Sequence, residues 1–577
     1  MTQILDPSGI AATARGASGR RLDEELELSA RRSPDDAALW TPGQGELTFA
    51  RWAEAVAECA DRLAEAGVRA RRRIALKFDS TDVLGLAVAQ LAVQALRASA
   101  LVLPADVSTS TERSALRTTR AALLIRSGSR WDHPVLERLP STGSPAEATD
   151  GEALILLTSG STGEPRLVPV SHAELTFSPA AGLGHEAKAP RDKSIVHSFV
   201  AGTNAYHDYL SRAVLGQLYV HVVPGADPAE LWRTVTEREV PRLGLSPVAA
   251  RWFVDWILAG HHDGRMIERV GLTGSAIDGA LVRRLRTAFP NAHLLGVYGL
   301  TEGGGGFTFA TDLSEDGVGL LGEPRPGLEA RVVDESGTPQ PSGTPGVLEL
   351  RCTDRPARGV IGDSSPADWL VTGDVAVIDA RGAVRLVDRV SDMVKVADRR
   401  VSSLTAEAVL LAHPAVADAA VVGVPDPVIG TRLVAAVVAR EPIEPASLRE
   451  FAAERLSPPE TPTRVTLLDE LPMTPSGKHD KPRLRAQLAS MPANRGEVGP
   501  LDLRMIVTRA WDDVFGAPDD DRDFFAQGGS SQQAAELLAL IRERCGISIA
   551  PVDLLSTGTA QALISAVEAA AAGPTAD

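Results

Sequence analysis

Hydrophobic and polar positions recur along this chain with two periods, and the places where one gives way to the other mark its elements. Apolar residues at helical spacing run from Leu47 and Phe49 through Trp52, Ala55 and Val56 to Leu63, and Gly67 is placed to end that helix. A strand at 73–78, a helix at 83–96 and a strand at 100–104 follow. This strand–helix–strand rhythm predicts a parallel α/β sheet. It continues through 121–124 to a short apolar run, Leu154-Ile155-Leu156-Leu157, that reads as a buried strand. Between His172 and Leu295 the alternation repeats, with strand 218–223 before helix 228–237 and strand 243–245 before helix 249–258. A smaller unit is predicted from helix 405–412, strand 416–422 and, after a turn opened by Gly423, strand 434–438. Residues 488–499 carry Pro, Asn, Gly and Ser without periodicity and read as a linker. Beyond them, helices at 501–515 and 533–545 belong to a four-helix rhythm that closes at Ala571.

At 577 residues the chain is long enough for several domains, and its 44% hydrophobic and 23% charged residues are ordinary for a globular protein. A net charge of -16 argues against nucleic acid as a partner. Cys59, Cys352 and Cys545 are far apart and in no metal-ligand spacing, which fits reduced structural thiols and a cytoplasmic setting. No charged-then-apolar signal opens the chain. The most apolar stretch, 83–104, is interrupted by Gln90, Gln94 and Arg97, so no membrane span is expected.

The buried strand at 154–157 empties into Thr158-Ser159-Gly160-Ser161-Thr162-Gly163-Glu164-Pro165-Arg166. Glycines let backbone N–H groups approach an anion, and the hydroxyls add donors, so the loop is suited to phosphate. A Walker loop needs Gly-Lys-Ser/Thr opening a helix, and Pro165 and Arg166 stand there instead. Downstream, Val297-Tyr298-Gly299-Leu300-Thr301-Glu302 ends a strand in a carboxylate. Beside a phosphate loop, that carboxylate calls for a cation such as Mg²⁺ between them. Thr372-Gly373-Asp374 offers an acceptor-only carboxylate after a turn, able to take both hydroxyls of a ribose. Pro472-Met473-Thr474-Pro475-Ser476-Gly477-Lys478 presents a compact ammonium on a glycine-flanked loop.

Together these stretches resemble the signatures of the adenylate-forming superfamily, which includes acyl-CoA synthetases, luciferases and the adenylation domains of peptide synthetases. The resemblance implies a large α/β adenylation core with parallel or mixed sheets (20–388) and a small, mobile α+β subdomain (389–487). The linker (488–499) and an all-α four-helix carrier domain (500–572) would follow. It implies ATP-dependent activation of a carboxylic acid as an acyl-adenylate with release of pyrophosphate, then transfer to a thiol. Thr158, Ser159, Gly160, Ser161, Thr162, Gly163 and Arg166 would handle phosphates, with Gly274, Ser275, Ala276 and Tyr298 also about the nucleotide. Thr301 and Glu302 would meet the α-phosphate and Mg²⁺, Asp374 and Arg389 the ribose, and Lys478 the developing charge. Ser391 occupies the pivot position of the family's hinge.

The carrier resemblance rests on Asp523-Phe524-Phe525 and Gly528-Gly529-Ser530-Ser531, in which Ser531 is in register to receive a 4′-phosphopantetheine arm from a phosphopantetheinyl transferase. Adjacent serines opening a helix are equally what an N-cap looks like. Enzymes that take the thioester onward would be further partners, in a nonribosomal-peptide-like pathway.

Three departures matter. Arg166 replaces the usual lysine, a mild change since a guanidinium also meets phosphate. Asp398 replaces a glycine on the loop approached by the thiol arm, which puts transfer in question more than activation. Members that activate α-amino acids hold the amine with an acid, and Phe199 to Asp208 carries none at the expected place, although Asp208 stands nearby. An unpaired buried ammonium is costly, so a non-proteinogenic acid, aryl or short acyl, is expected near Thr203, Asn204, Tyr206, His207, Ser275 and Val297. Three alternatives stay open: an amino acid in an atypical pocket, a free-standing ligase using CoA, and a carrier scaffold with a decayed adenylation half.

Overall fold

The computed structural model describes residues 20–572 apart from 140–146, 159–165, 177–193, 304–308, 316–318, 325–326, 353–359, 362–367, 397–398, 427–429, 475–477, 492–499, 516–523, 525–529, 546, 548 and 551–557. The chain divides into two compact units. One is Met1–Ser391 with Met473–His479, and the other is Asp392–Pro472 with Asp480–Asp577.

The first unit is built on three sheets. A six-stranded sheet runs Val135–Arg138, Leu123–Arg126, Arg73–Lys77, Ser99–Leu103, Glu152–Thr158, Arg166–Ser171. Its four inner strands are parallel and its two edge strands antiparallel. Crossover helices explain the parallel core. Helix Val83–Ala95 is buried on every side, as its nearly uninterrupted apolar sequence requires, and helix Phe49–Glu65 buries only its apolar stripe. The eight-stranded sheet follows the same scheme. Its order is Phe309–Asp312, His293–Tyr298, Arg269–Thr273, Arg242–Leu245, Ser194–His197, Tyr219–Val222, Ala37–Thr41, Gly45–Thr48, with antiparallel strands only at its edges. The third sheet has five antiparallel strands: Leu320–Gly322, Val384–Arg389, Leu370–Ile378, Gly346–Cys352 and Leu328–Val333.

In the second unit, strands Val416–Asp426, Gly430–Ala439 and Arg464–Leu467 form one sheet, with helix Ser403–Leu411 packed on the first of them. Gly423 does not open a turn as its sequence context suggested: the strand runs through it, pairing Gly423 with Leu433. The glycine is needed for close packing, because a Cβ there would lie 2.6 Å from a methyl of Val394. Lys481 is buried at the start of helix Lys481–Ser490. Its ammonium lies 2.8 Å from Glu407 and 2.7 Å from the Ser403 hydroxyl, which satisfies the charge. The carrier segment contributes three helices among the described residues, Pro500–Phe515, Ser531–Cys545 and Ala560–Ala572. Phe524 is fully buried among them, edge-on to Trp511 at 5.3 Å.

Candidate active site

The residues expected at a nucleotide site in the first unit lie on or just after strands from all three sheets. Thr158 is the last residue of strand Glu152–Thr158, and its hydroxyl donates to Glu302 Oε1 at 3.2 Å. Arg166 opens the antiparallel partner strand, in register with Thr158, and is exposed. Ser159, Gly160, Ser161, Thr162 and Gly163 lie outside the described residues, as does Asp398.

Val297 and Tyr298 end strand His293–Tyr298, and Thr301 and Glu302 sit in the turn that follows. The Tyr298 hydroxyl donates to Asp374 Oδ2 at 2.5 Å, and Arg389 Nε donates to Asp374 Oδ1 at 3.0 Å. That pair follows from strand register, because Asp374 on Leu370–Ile378 lies opposite Arg389 on Val384–Arg389. Burial first, and then the Asp374 carboxylate, push the Tyr298 phenol well above its usual range, so it stays protonated and donates.

Lys478 lies in the Met473–His479 excursion that belongs to this unit. The excursion closes on itself: Thr474 N donates to Lys478 O at 2.7 Å and Lys478 N to the Thr474 hydroxyl at 3.1 Å. The Lys478 Cε packs over Gly274, 3.9 Å from where a Cβ would stand. Gly274, Ser275 and Ala276 follow strand Arg269–Thr273, with Ser275 exposed. Burial, and then the Arg389 charge, pull the Lys478 ammonium down to about 8, against the opposing pull of Asp374 and Glu302. Thr158, Glu302, Asp374, Arg389 and Lys478 are therefore linked by hydrogen bonds and electrostatics, although 320 positions separate Thr158 from Lys478 in sequence.

The proposed acid-binding residues lie at the start of helix Asn204–Val214. Thr203 caps it, its hydroxyl accepting from Tyr206 N at 3.3 Å and donating to Val200 O at 2.7 Å. Asn204 is half-buried, while Tyr206 and His207 are buried. Behind them His197, Phe199 and Tyr209 stack, with His197 and Tyr209 ring centroids 4.7 Å apart. Asp208 accepts from Arg212 Nε at 2.8 Å. Sequence reasoning passed over this pair, though its four-residue spacing on one helix was the available signal.

Ser391 is the last residue of the first unit before the chain passes to the second. In the carrier, Ser530 and Gln533 form a reciprocal cap. Ser530 N donates to Gln533 Oε1 at 3.0 Å, and Gln533 N donates to the Ser530 hydroxyl at 3.3 Å. The N-cap role thus falls to Ser530, and Ser531 is the first residue of helix Ser531–Cys545.

A donor set for Mg²⁺ is limited here, and no cluster of three His, Cys, Asp or Glu among the described residues could hold a metal alone. A single carboxylate beside phosphate-handling groups is nevertheless what Mg²⁺ takes when substrate phosphates complete its shell, so Glu302 fits.

The sequence order of these residues, with a carrier segment following in the chain, matches that of adenylate-forming ligases. The chain belongs to the AMP-binding enzyme family. Residues 26–353 match the AMP-binding enzyme, 405–478 its C-terminal domain and 506–567 the phosphopantetheine attachment site. It is 28% identical over 590 residues to novobiocin biosynthesis protein H of Streptomyces niveus, covering 94% of this chain and 95% of that protein. It is likewise 28% identical over 542 residues to the salicyl-AMP ligase / salicyl-S-ArCP synthetase of Mycobacterium tuberculosis, covering 84% and 94%. Among solved structures, the amide bond synthetase McbA of Marinactinospora thermotolerans matches at a TM-score of 0.67 and 23% identity, over 81% of this chain and 99% of that one.

The protein is therefore an AMP-forming ligase of the nonribosomal-peptide-synthetase type, with an adenylation region followed by a carrier region. It uses ATP to activate a carboxylic acid as an acyl-adenylate and loads the acyl group as a thioester on its own carrier. No helix among the described residues is long and apolar enough to cross a membrane.

Proposed function

We propose that the acid activated lacks an α-amino group and is aryl or short acyl. The observation that carries this reading is the Asp208–Arg212 ion pair. Asp208 is the only acid near the expected amine site in the stretch from Phe199 to Asp208, and its carboxylate is already committed to a guanidinium. An ammonium brought among the rings of His197, Phe199 and Tyr209 would have to share that carboxylate with Arg212 or go unpaired. A relative named for salicyl-AMP supports an aryl acid.

In this reading Thr158, Ser159, Ser161, Thr162 and Arg166 hold the ATP phosphates, with the backbone of Gly160 and Gly163 alongside. Thr301 orients the α-phosphate, and Asp374 and Arg389 hold the ribose. Glu302 would hold Mg²⁺, which would supply positive charge beside the phosphates. Lys478 places its ammonium where negative charge builds between carboxylate and α-phosphate, so that catalysis is positioning plus charge stabilisation. Ser391 is the pivot between core and small subdomain. Ser531 carries the phosphopantetheine arm, whose thiol takes the acyl group, and tethering raises its effective concentration.

The test is an ATP–pyrophosphate exchange screen over amino, aryl and aliphatic acids. Exchange is expected with aryl or short acyl acids. Strong exchange with one common amino acid, and none with the others, overturns the proposal.

A further inference from the structure

The hairpin that carries Lys478 leaves the second unit after Pro472 and the chain re-enters that unit at Asp480. Its mouth is closed by a backbone bond, Asp480 N donating to Pro472 O at 2.7 Å. The next residue is the buried Lys481. Its ammonium lies 2.8 Å from Glu407 Oε1, 2.7 Å from the Ser403 hydroxyl and 3.8 Å from Asp392 Oδ2. Glu407 Oε1 also accepts from Val421 N at 2.8 Å, on strand Val416–Asp426. Asp392 is the first residue of the second unit, immediately after Ser391. The two points at which the chain comes into this unit, Asp392 and Asp480, are thus tied through one ammonium, and through Glu407 to the unit's sheet. A buried ion pair is an expensive way to fill space, since apolar residues of like volume pack at least as well. What the charge adds is a grip on several elements from a single atom.

We propose that Lys481 is a positioning residue for Lys478: it clamps the stem of the lysine hairpin to the segment that follows Ser391, so that the two chain crossings keep a fixed spacing. A turn of the chain at Ser391 then moves the hairpin stem by a set amount, and the Lys478 ammonium with it. Removing Lys481 leaves the hairpin's own bonds, Thr474 N to Lys478 O and Lys478 N to the Thr474 hydroxyl, in place. What is lost is the anchorage of the stem, and a small misplacement of a catalytic group is costly in rate. The inference rests on the reading of Lys478 as the group that meets developing charge, and it adds the residue that holds that group in place.

The experiment is a double-mutant cycle on the full chain, read by ATP–pyrophosphate exchange with the acid that gives the strongest exchange in the wild type. Lys481→Met is made in the wild type and in Lys478→Ala. In the wild type it is expected to lower kcat about tenfold at unchanged KM for ATP. In Lys478→Ala it is expected to change kcat by less than about twofold, because the residue it acts through is already gone. An equal loss in both backgrounds, or no loss of kcat in the first, overturns the proposal. If Lys478→Ala itself exchanges like the wild type, the catalytic reading of Lys478 falls, and the inference with it. Lys481→Met leaves Glu407 without this counter-charge, so a second protein, Lys481→Met/Glu407→Gln, removes both charges together. Hydrogen–deuterium exchange on it, without acid or ATP, is expected to run about tenfold faster across 472–480 and unchanged across Val416–Asp426. The same acceleration in both segments, or none across 472–480, overturns the proposal and leaves the catalytic reading of Lys478 standing.

Discussion

A half-buried lysine is a conditional cation. Lys478 is held near a pKa of about 8 because burial outweighs the attraction of Asp374 and Glu302. In the free enzyme its charged fraction therefore falls as pH rises through that value, well below where an exposed lysine would titrate. The kcat/KM for ATP in pyrophosphate exchange, which reports free-enzyme groups, is expected to decline above pH about 8. Lys478→Arg, protonated throughout, should flatten that limb. Lys478→Ala should lower exchange about 10²–10³-fold, the usual cost of removing a donor aimed at developing charge. The identity of Lys478 was legible from its loop motif. Its lowered pKa was not, because that arises from packing near Gly274 and from the charge of Arg389, residues remote in sequence that only the fold brings near.

Among the elements, those with a strong period were the most legible. The predicted helix 228–237 coincides with Pro228–Glu237, and strands at 73–78 and 100–104 lie within a residue of Arg73–Lys77 and Ser99–Leu103. The antiparallel sheet between Leu320 and Arg389 left little trace, since its strands are only partly apolar and its register is set by partners far along the chain. Gly423 was misread for a related reason: a glycine required by close packing looks, in sequence, like one required by a turn. At the carrier helix, local chemistry separates two adjacent serines. Ser530→Ala removes a reciprocal cap and should cost about 1 kcal/mol of carrier stability, while the phosphopantetheine is still attached. Ser531→Ala should leave stability unchanged and abolish the mass gain on treatment with a phosphopantetheinyl transferase. Intact-mass spectrometry and thermal melts read both.

At the scale of the molecule, stability is tied to histidines buried in neutral form. Desolvation lowers His197 and His221 to about 3 and His172 to about 4. The unfolded chain binds these protons near pH 6.5, so stability is complete above that value and is lost progressively as pH falls towards 3–4. The melting temperature should accordingly fall between pH 7 and 4.5. Both ring nitrogens of His221 lack a hydrogen-bond partner among the described residues, and its ring lies 5.7 Å from Trp40 and 4.2 Å from Tyr219. His221→Phe should keep the packing and make the acid slope shallower, read by melts at several pH values. The domain order was legible because each region carries its own motif. The residues that tune the site, Tyr298 against Asp374 and Arg212 against Asp208, were less so, since sequence names the groups but not their partners.

The excursion Met473–His479 has a consequence for recombination among relatives. Those seven residues are compact with the first unit, while the chain on either side of them belongs to the second. A graft that exchanges everything after Ser391 for a relative's sequence therefore imports a foreign lysine segment into the host's first unit. There it must fit over the host's Gly274 and beside the host's Asp374 and Arg389. The natural seams number three, at 391/392, 472/473 and 479/480, and a chimera cut at all three keeps its lysine segment native to the core that receives it.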